Sequence, residues 1–156
     1  MLPLALYIHW PFCAKKCPYC DFNSHAWGPA MGELPQAAYI QAVVADLQQA
    51  LPLVWGRPVH SVFIGGGTPS LFSPQGIDAL LAGIRARVRL DADAEITLEA
   101  NPGTFEKDRF RGFAQAGVTR FRPILLTSVT TFIASSVTVT LPDAVAAKLT
   151  PRASAI

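Results

Sequence analysis

Short apolar blocks alternate along this chain with stretches in which apolar residues recur every three or four positions. The block LALYIHW (4–10) is apolar and β-rich, which predicts a first strand. After a Gly- and Pro-containing loop at 28–35, Ile40, Val43, Val44, Leu47 and Leu51 fall at helical spacing. VHSVFIG (59–65) predicts a second strand. Ser73 and Pro74 then have the character of an N-cap and a first helical residue, followed by Ile77, Leu80, Leu81, Ile84 and Val88 on one face. AEITLEA (94–100) predicts a third strand. Thr104 is placed to cap a third helix through Phe110 and Phe113, Gly117 to end it, and a fourth strand is expected from Val118.

Strand–helix alternation at this pitch predicts an α/β fold with parallel strands and helices packed outside them. Binding sites in such folds form at the carboxyl ends of the strands. The loop after Trp10, the turn GGGTPS and the stretch EANPG each follow a predicted strand, so all three should face one rim.

Composition narrows the setting. At 156 residues the chain is about one domain long, and 51% hydrophobic with 15% charged residues suits a globular interior. A net charge of +2 is too small to suggest a nucleic-acid or anionic-membrane partner. No apolar run reaches a membrane-spanning length. The start MLPLALYIHWPF lacks a basic leader and a small-residue cleavage site, so a strand is expected there rather than a signal peptide.

All 3 cysteines, Cys13, Cys17 and Cys20, crowd into one short stretch, which argues against a disulfide framework and for a reducing, cytoplasmic compartment. Zinc is one reading of the trio. Structural zinc wants four ligands, and His9 or His25 could supply the fourth, but Cys-x-x-x-Cys-x-x-Cys is not a usual zinc spacing. A 4Fe–4S cluster is the other. Held by three thiolates it keeps one iron open, and an amino acid can chelate that iron through its amine and carboxylate.

The cysteine spacing resembles that of the radical S-adenosylmethionine (SAM) superfamily. YIHWPFCAKKCPYCDFN, FIGGGTPSLF and LEANPGT together resemble the oxygen-independent coproporphyrinogen III oxidase family. Asp21–Phe22, with no further cysteine just after the motif, favours its haem-chaperone (HemW-type) branch. The resemblance covers residues 4 to about 121. It implies a partial (βα) barrel of radical SAM type, truncated after about four strands with three helices. It also implies a 4Fe–4S cluster, SAM, and a porphyrin or haem ligand, with an electron-donor protein as partner. By position, Cys13, Cys17 and Cys20 would ligate iron, and Tyr19 would lie against the adenine. Tyr7 would stand near the cluster and the methionine moiety. Gly65, Gly66, Gly67 and Thr68 would let backbone groups approach the methionine end, and Glu99 would hydrogen-bond the cofactor. The implied chemistry is electron donation from the reduced cluster into the sulfonium, breaking a C–S bond to give methionine and a 5′-deoxyadenosyl radical.

These residues also have ordinary structural readings. Glycine clusters before Thr-Pro are mostly tight turns, and Glu99 could cap a helix or pair with an arginine. Tyr7 and Tyr19 could be core aromatics, His9 and His25 are read as positional, and RARVR (85–89) as a solvated helix end.

The resemblance breaks near residue 122. All 11 glycines precede it, and from Pro123 to Ile156 ten residues are Ser or Thr while Asp143 is the only acid. RFRPILLTSVTTFIASS stands where the family would finish a Gly-Val-Gln-Ser-type strand end and continue through further βα units. Later cofactor-binding Gln, Arg and Asp positions have no counterpart. The expected division is therefore 1–121 as the first part of a radical SAM core and 122–156 as a divergent tail. Out-of-frame translation is one origin for that tail, a short variant with extra edge strands the other. A half-barrel of this kind is expected to expose a sheet edge and much of its inner face, favouring poor solubility and little turnover. Whether such a chain acts as an enzyme, as a non-enzymatic haem-binding chaperone, or as an inactive fragment is left open.

Overall fold

A computed structural model describes residues 4–54, 56–101, 107–123 and 136–139. Strand β1 (Leu4–Trp10) follows the predicted apolar block residue for residue. Its alternating burial sends Leu4, Leu6, Ile8 and Trp10 into the core. Two short strands, β2 (Phe12–Cys13) and β3 (His25–Ala26), pair beyond it. Helix α1 (Gln36–Val54) buries Tyr39, Val43 and Leu47. Strand β4 (Val59–Gly66) extends the predicted segment by one glycine.

Helix α2 (Pro74–Arg85) starts as the sequence dictates. The Ser73 hydroxyl accepts the Gly76 N–H at 2.9 Å, and Pro74 takes the first turn, where a missing N–H costs nothing. Gln36 ties the start of α1 to this cap, its side-chain oxygen accepting the Ser73 N–H at 2.8 Å. Ile77, Leu80, Leu81 and Ile84 are buried on the predicted face, whereas Val88 is buried beyond the helix end rather than on it.

Strand β5 (Leu90–Ala100) begins four residues before the apolar block that announces it, because Asp91 and Asp93 mask its first half. Helix α3 (Lys107–Ala116) ends at Gly117, whose φ of 110° suits glycine. The expected Thr104 cap lies outside the described residues. Strand β6 (Arg120–Pro123) starts two residues later than expected.

The main sheet has order β6–β5–β4–β1–β7 with every pair parallel, β7 being Ser136–Val139. The architecture is thus the expected α/β one, four consecutive parallel strands with helices on the outer face. The fifth strand comes from the tail and lies in register with β1 from Ala5 to Ile8. The two-stranded β2–β3 ladder is a further difference from expectation.

Register separates the two faces of the sheet. Ile8, Ile64 and Leu98 are partners across β1, β4 and β5, and all are fully buried on the helix side. Tyr7, Phe63, Thr97 and Arg120 form a row on the opposite face. Ala5, Ser61 and Glu95 form the row below. This inner face is largely polar: Glu95 accepts from the Thr97 hydroxyl at 3.0 Å and pairs with Arg120 at 3.1 Å.

Candidate functional site

The site begins where β1 and β4 stop being regular strands and stay paired. Gly67 N–H donates to the Trp10 carbonyl at 2.7 Å and Thr68 N–H to the Phe12 carbonyl at 2.8 Å. The glycine turn therefore runs alongside the chain that carries Cys13. A Cβ on Gly67 would lie 2.5 Å from the Phe12 carbonyl oxygen and 2.9 Å from Cys13 Sγ. One on Gly66, whose φ is 110°, would lie 2.7 Å from His9 Nδ1. One on Gly65 would meet Glu99 Oε2 at 3.1 Å. Side chains here would collide with Phe63, His9 and the Trp10 and Phe12 backbone, so the glycines are required by close approach. Thr68 is buried beside them.

Glu99, near the end of β5, accepts the Gly66 N–H at 3.3 Å. Burial raises its carboxyl above the usual range, opposed by that hydrogen bond and by the Arg122 charge. Tyr7 stacks on Phe63 with ring centroids 5.9 Å apart, and its phenol is pushed up to about 12 by burial and by the Glu99 charge. Glu99 thus receives the glycine turn, a role its sequence position did not announce, and feels the charge of an arginine without an ion pair to it.

His9 ties this group to the cysteine loop. Its Nε2 lies 2.8 Å from the Asn23 carbonyl oxygen, which can only accept, so Nε2 carries the proton. Nδ1 is then free to accept from the Tyr7 hydroxyl at 3.3 Å. The ends of the loop are held further by His25 N–H to the Pro11 carbonyl and Trp27 N–H to the Cys13 carbonyl, both 2.7 Å. Beneath it, Trp10 packs between Phe12, Tyr39 and Phe72, and the Tyr39 hydroxyl donates to the His9 carbonyl at 2.7 Å.

The three thiols are unpaired: Cys13 is buried, Cys20 half-buried and Cys17 exposed. Among the described residues, no three Cys, His, Asp or Glu side chains are arranged to hold a metal ion. Tyr19 stands on the loop at 64% exposure, apart from the glycines and Glu99, and hydrogen bonding to Cys17 holds its phenol above the ordinary range. The structure thus brings Cys13, Gly65, Gly66, Gly67, Glu99 and Tyr7 together and leaves Cys17 and Tyr19 outside. The donor set still suits a sulfur-ligated cluster. Three thiols free of disulfides sit on one loop anchored at both ends, and the glycine turn presents bare backbone against Cys13 and Glu99.

Some contributors carry no sequence signal. Ser70 links two rim segments, its hydroxyl accepting the Asn101 N–H and its carbonyl accepting from Arg109, both at 3.2 Å. The Asn23 carbonyl is equally silent, because any residue presents one. Arg122 faces Glu99 only through strand register. The shared rim of β4 and β5 is the one clue that could have singled these positions out.

The family description "Radical SAM superfamily" matches residues 7–127. The chain is 56% identical over 118 residues to the heme chaperone HemW of Escherichia coli K12, covering 76% of this chain and 30% of that protein. It is 44% identical over 116 residues to the bovine "Radical S-adenosyl methionine domain-containing protein 1, mitochondrial", covering 74% of this chain and 25% of that protein. Among solved structures, the radical SAM enzyme coproporphyrinogen III oxidase (HemN) from Escherichia coli superposes with a TM-score of 0.69 at 31% identity. That match covers 78% of this chain and 27% of the other. The chain thus spans about 30% of the length of the HemW relative. No helix among the described residues is long and apolar enough to cross a membrane.

Proposed function

The chain belongs to the radical SAM superfamily, and from that premise we propose that it binds a 4Fe–4S cluster and SAM in haem or porphyrin metabolism. The observation that carries this reading is the approach of three motifs at one rim: Gly67 packs against Cys13, and Gly66 donates to Glu99. Cys13, Cys17 and Cys20 would hold the cluster, which when bound supplies one electron for reductive cleavage of the sulfonium. Gly65, Gly66, Gly67 and Thr68 offer backbone groups to the amino-acid end of SAM. Glu99 accepts a hydrogen bond from it, Tyr19 covers the adenine, and Tyr7 closes the inner side. His9 holds the Tyr7 hydroxyl and the far arm of the loop in place. Porphyrin or haem is the proposed ligand class, an electron-donor protein the partner, and a reducing cytoplasmic compartment the setting.

A second reading is a non-enzymatic haem-binding chaperone, favoured by the 56% identity to a heme chaperone. A third reading, an inactive chain, is motivated by the break in the family pattern near residue 122. We further propose that 1–121 is the family portion and that 122–156 is not family sequence. Translating the coding DNA in its other two frames tests this; a Gln-Ser strand end followed by βα units is expected in one of them. Its absence from both would favour a short variant with an added edge strand.

Anaerobic reconstitution with iron and sulfide, followed by assay for 5′-deoxyadenosine, tests the enzymatic reading. Cluster loading with 5′-deoxyadenosine release supports it. Haem titration of the same material separates a chaperone, which binds haem without cleaving SAM, from a fragment that does neither.

A further inference from the structure

Ser24 lies on the cysteine loop with its side chain closed to water, at 1% exposure. Its hydroxyl oxygen is 3.6 Å from Cys20 Sγ, a length suited to the large radius of sulfur. It has no other hydrogen-bond partner among the described residues. The backbone on either side is tied down. The Asn23 carbonyl accepts from His9 Nε2 at 2.8 Å, and the His25 N–H donates to the Pro11 carbonyl at 2.7 Å. Ser24 is thus held against the end of β1 through both neighbours, and its hydroxyl reaches back four residues to Cys20.

With a free thiol either group can donate. A Cys20 thiolate bound to iron has no proton, so only the hydroxyl can then be the donor. A buried hydroxyl left without an acceptor is costly, which favours keeping this bond in the loaded protein. Cys17 differs, because its hydrogen bond to Tyr19 stands in the open where water competes. Reduction adds one electron to the cluster and moves no proton, so the reduced state is the more negative. A hydrogen bond to a ligand sulfur stabilises that state and raises the potential. We propose that Ser24 is a positioning residue whose hydroxyl donates to Cys20, seats that thiolate for the cluster and raises the cluster's reduction potential. The inference rests on the cluster-binding reading above and adds to it a residue outside the motif cysteines.

The anaerobically reconstituted full chain is compared as wild type, S24A, S24T and S24V. Iron content is measured, and the electron paramagnetic resonance amplitude of the reduced cluster is followed over a series of set potentials. In S24A and S24V the reduced-to-oxidised ratio at a fixed potential should fall about 3- to 10-fold, a range set by the net worth of one hydrogen bond. A tenfold fall is about 59 mV for one electron. Threonine keeps the hydroxyl at nearly the volume of valine, so S24T should stay near wild type. Loss of iron from S24A and S24V with retention in S24T also supports the hydroxyl's role, through seating of the ligand. Equal potentials in wild type and S24A with iron retained, or equal shifts or iron losses in S24T and S24V, overturn this inference alone. A wild-type chain that takes up no iron–sulfur cluster overturns the cluster reading and this inference with it.

Discussion

On the outward face of the sheet, Ile8, Ile64 and Leu98 stand in one register row and are fully buried. One residue further along the same strands, His9, Gly65 and Glu99 turn the other way and bear hydrogen-bonding groups or bare backbone. The period of a strand makes both possible within a few ångströms. The outward row stabilises the fold by removing apolar surface from water. The inward row keeps a carboxylate partly desolvated and a glycine backbone open, both of which cost stability and serve binding. Damage to the two rows should therefore differ in kind.

The largest effect belongs to the outward row. Leu98→Ala should destabilise the chain by about 2–5 kcal/mol, the usual loss for a fully buried leucine, read as a fall in the urea midpoint. Gly67→Ala comes next. Its Cβ would press on the Phe12 backbone oxygen at 2.5 Å, so about 1–3 kcal/mol should be lost. Iron retention per chain should fall with it, which a purely structural role for the glycine does not predict.

Glu99→Gln should act in the opposite direction. Because burial raises the folded-state carboxyl, the stability linked to its protonated form is present at low pH and lost as pH rises through the raised value. At pH 7 the ionised group is a burden, and glutamine removes it while still accepting from Gly66. The gain should be no more than about 1 kcal/mol by thermal melt and should vanish in acid, with weaker SAM binding. Tyr7→Phe is the mildest. The folded phenol titrates at about 12 against an ordinary 10, so stability linked to it is lost as pH rises between those values. The variant should flatten that alkaline limb and change little at neutral pH.

Most of the outward face was legible in the sequence because apolar periodicity records burial directly. Leu4–Trp10, the Ser73–Pro74 helix start and the Gly117 stop all stand as read. The rim was legible only as motifs behind strands; that Gly67 packs on Cys13 follows from pairing between β1 and β4, which no local pattern encodes. Strands of two residues, β2 and β3, are too short to show a period. Asp91 and Asp93 disguised the start of β5, and β7 pairs with β1 across more than a hundred residues. The Glu99–Arg122 pairing is a matter of register, visible only once β5 and β6 are side by side.

Electron paramagnetic resonance of the anaerobically reconstituted, dithionite-reduced chain, recorded with and without SAM, tests the central claim most directly. The account predicts about four irons per chain, a reduced-cluster signal that SAM perturbs through the open iron, and loss of iron in Cys17→Ser. Tetrahedral zinc in place of iron, or a cluster signal indifferent to SAM, would contradict it.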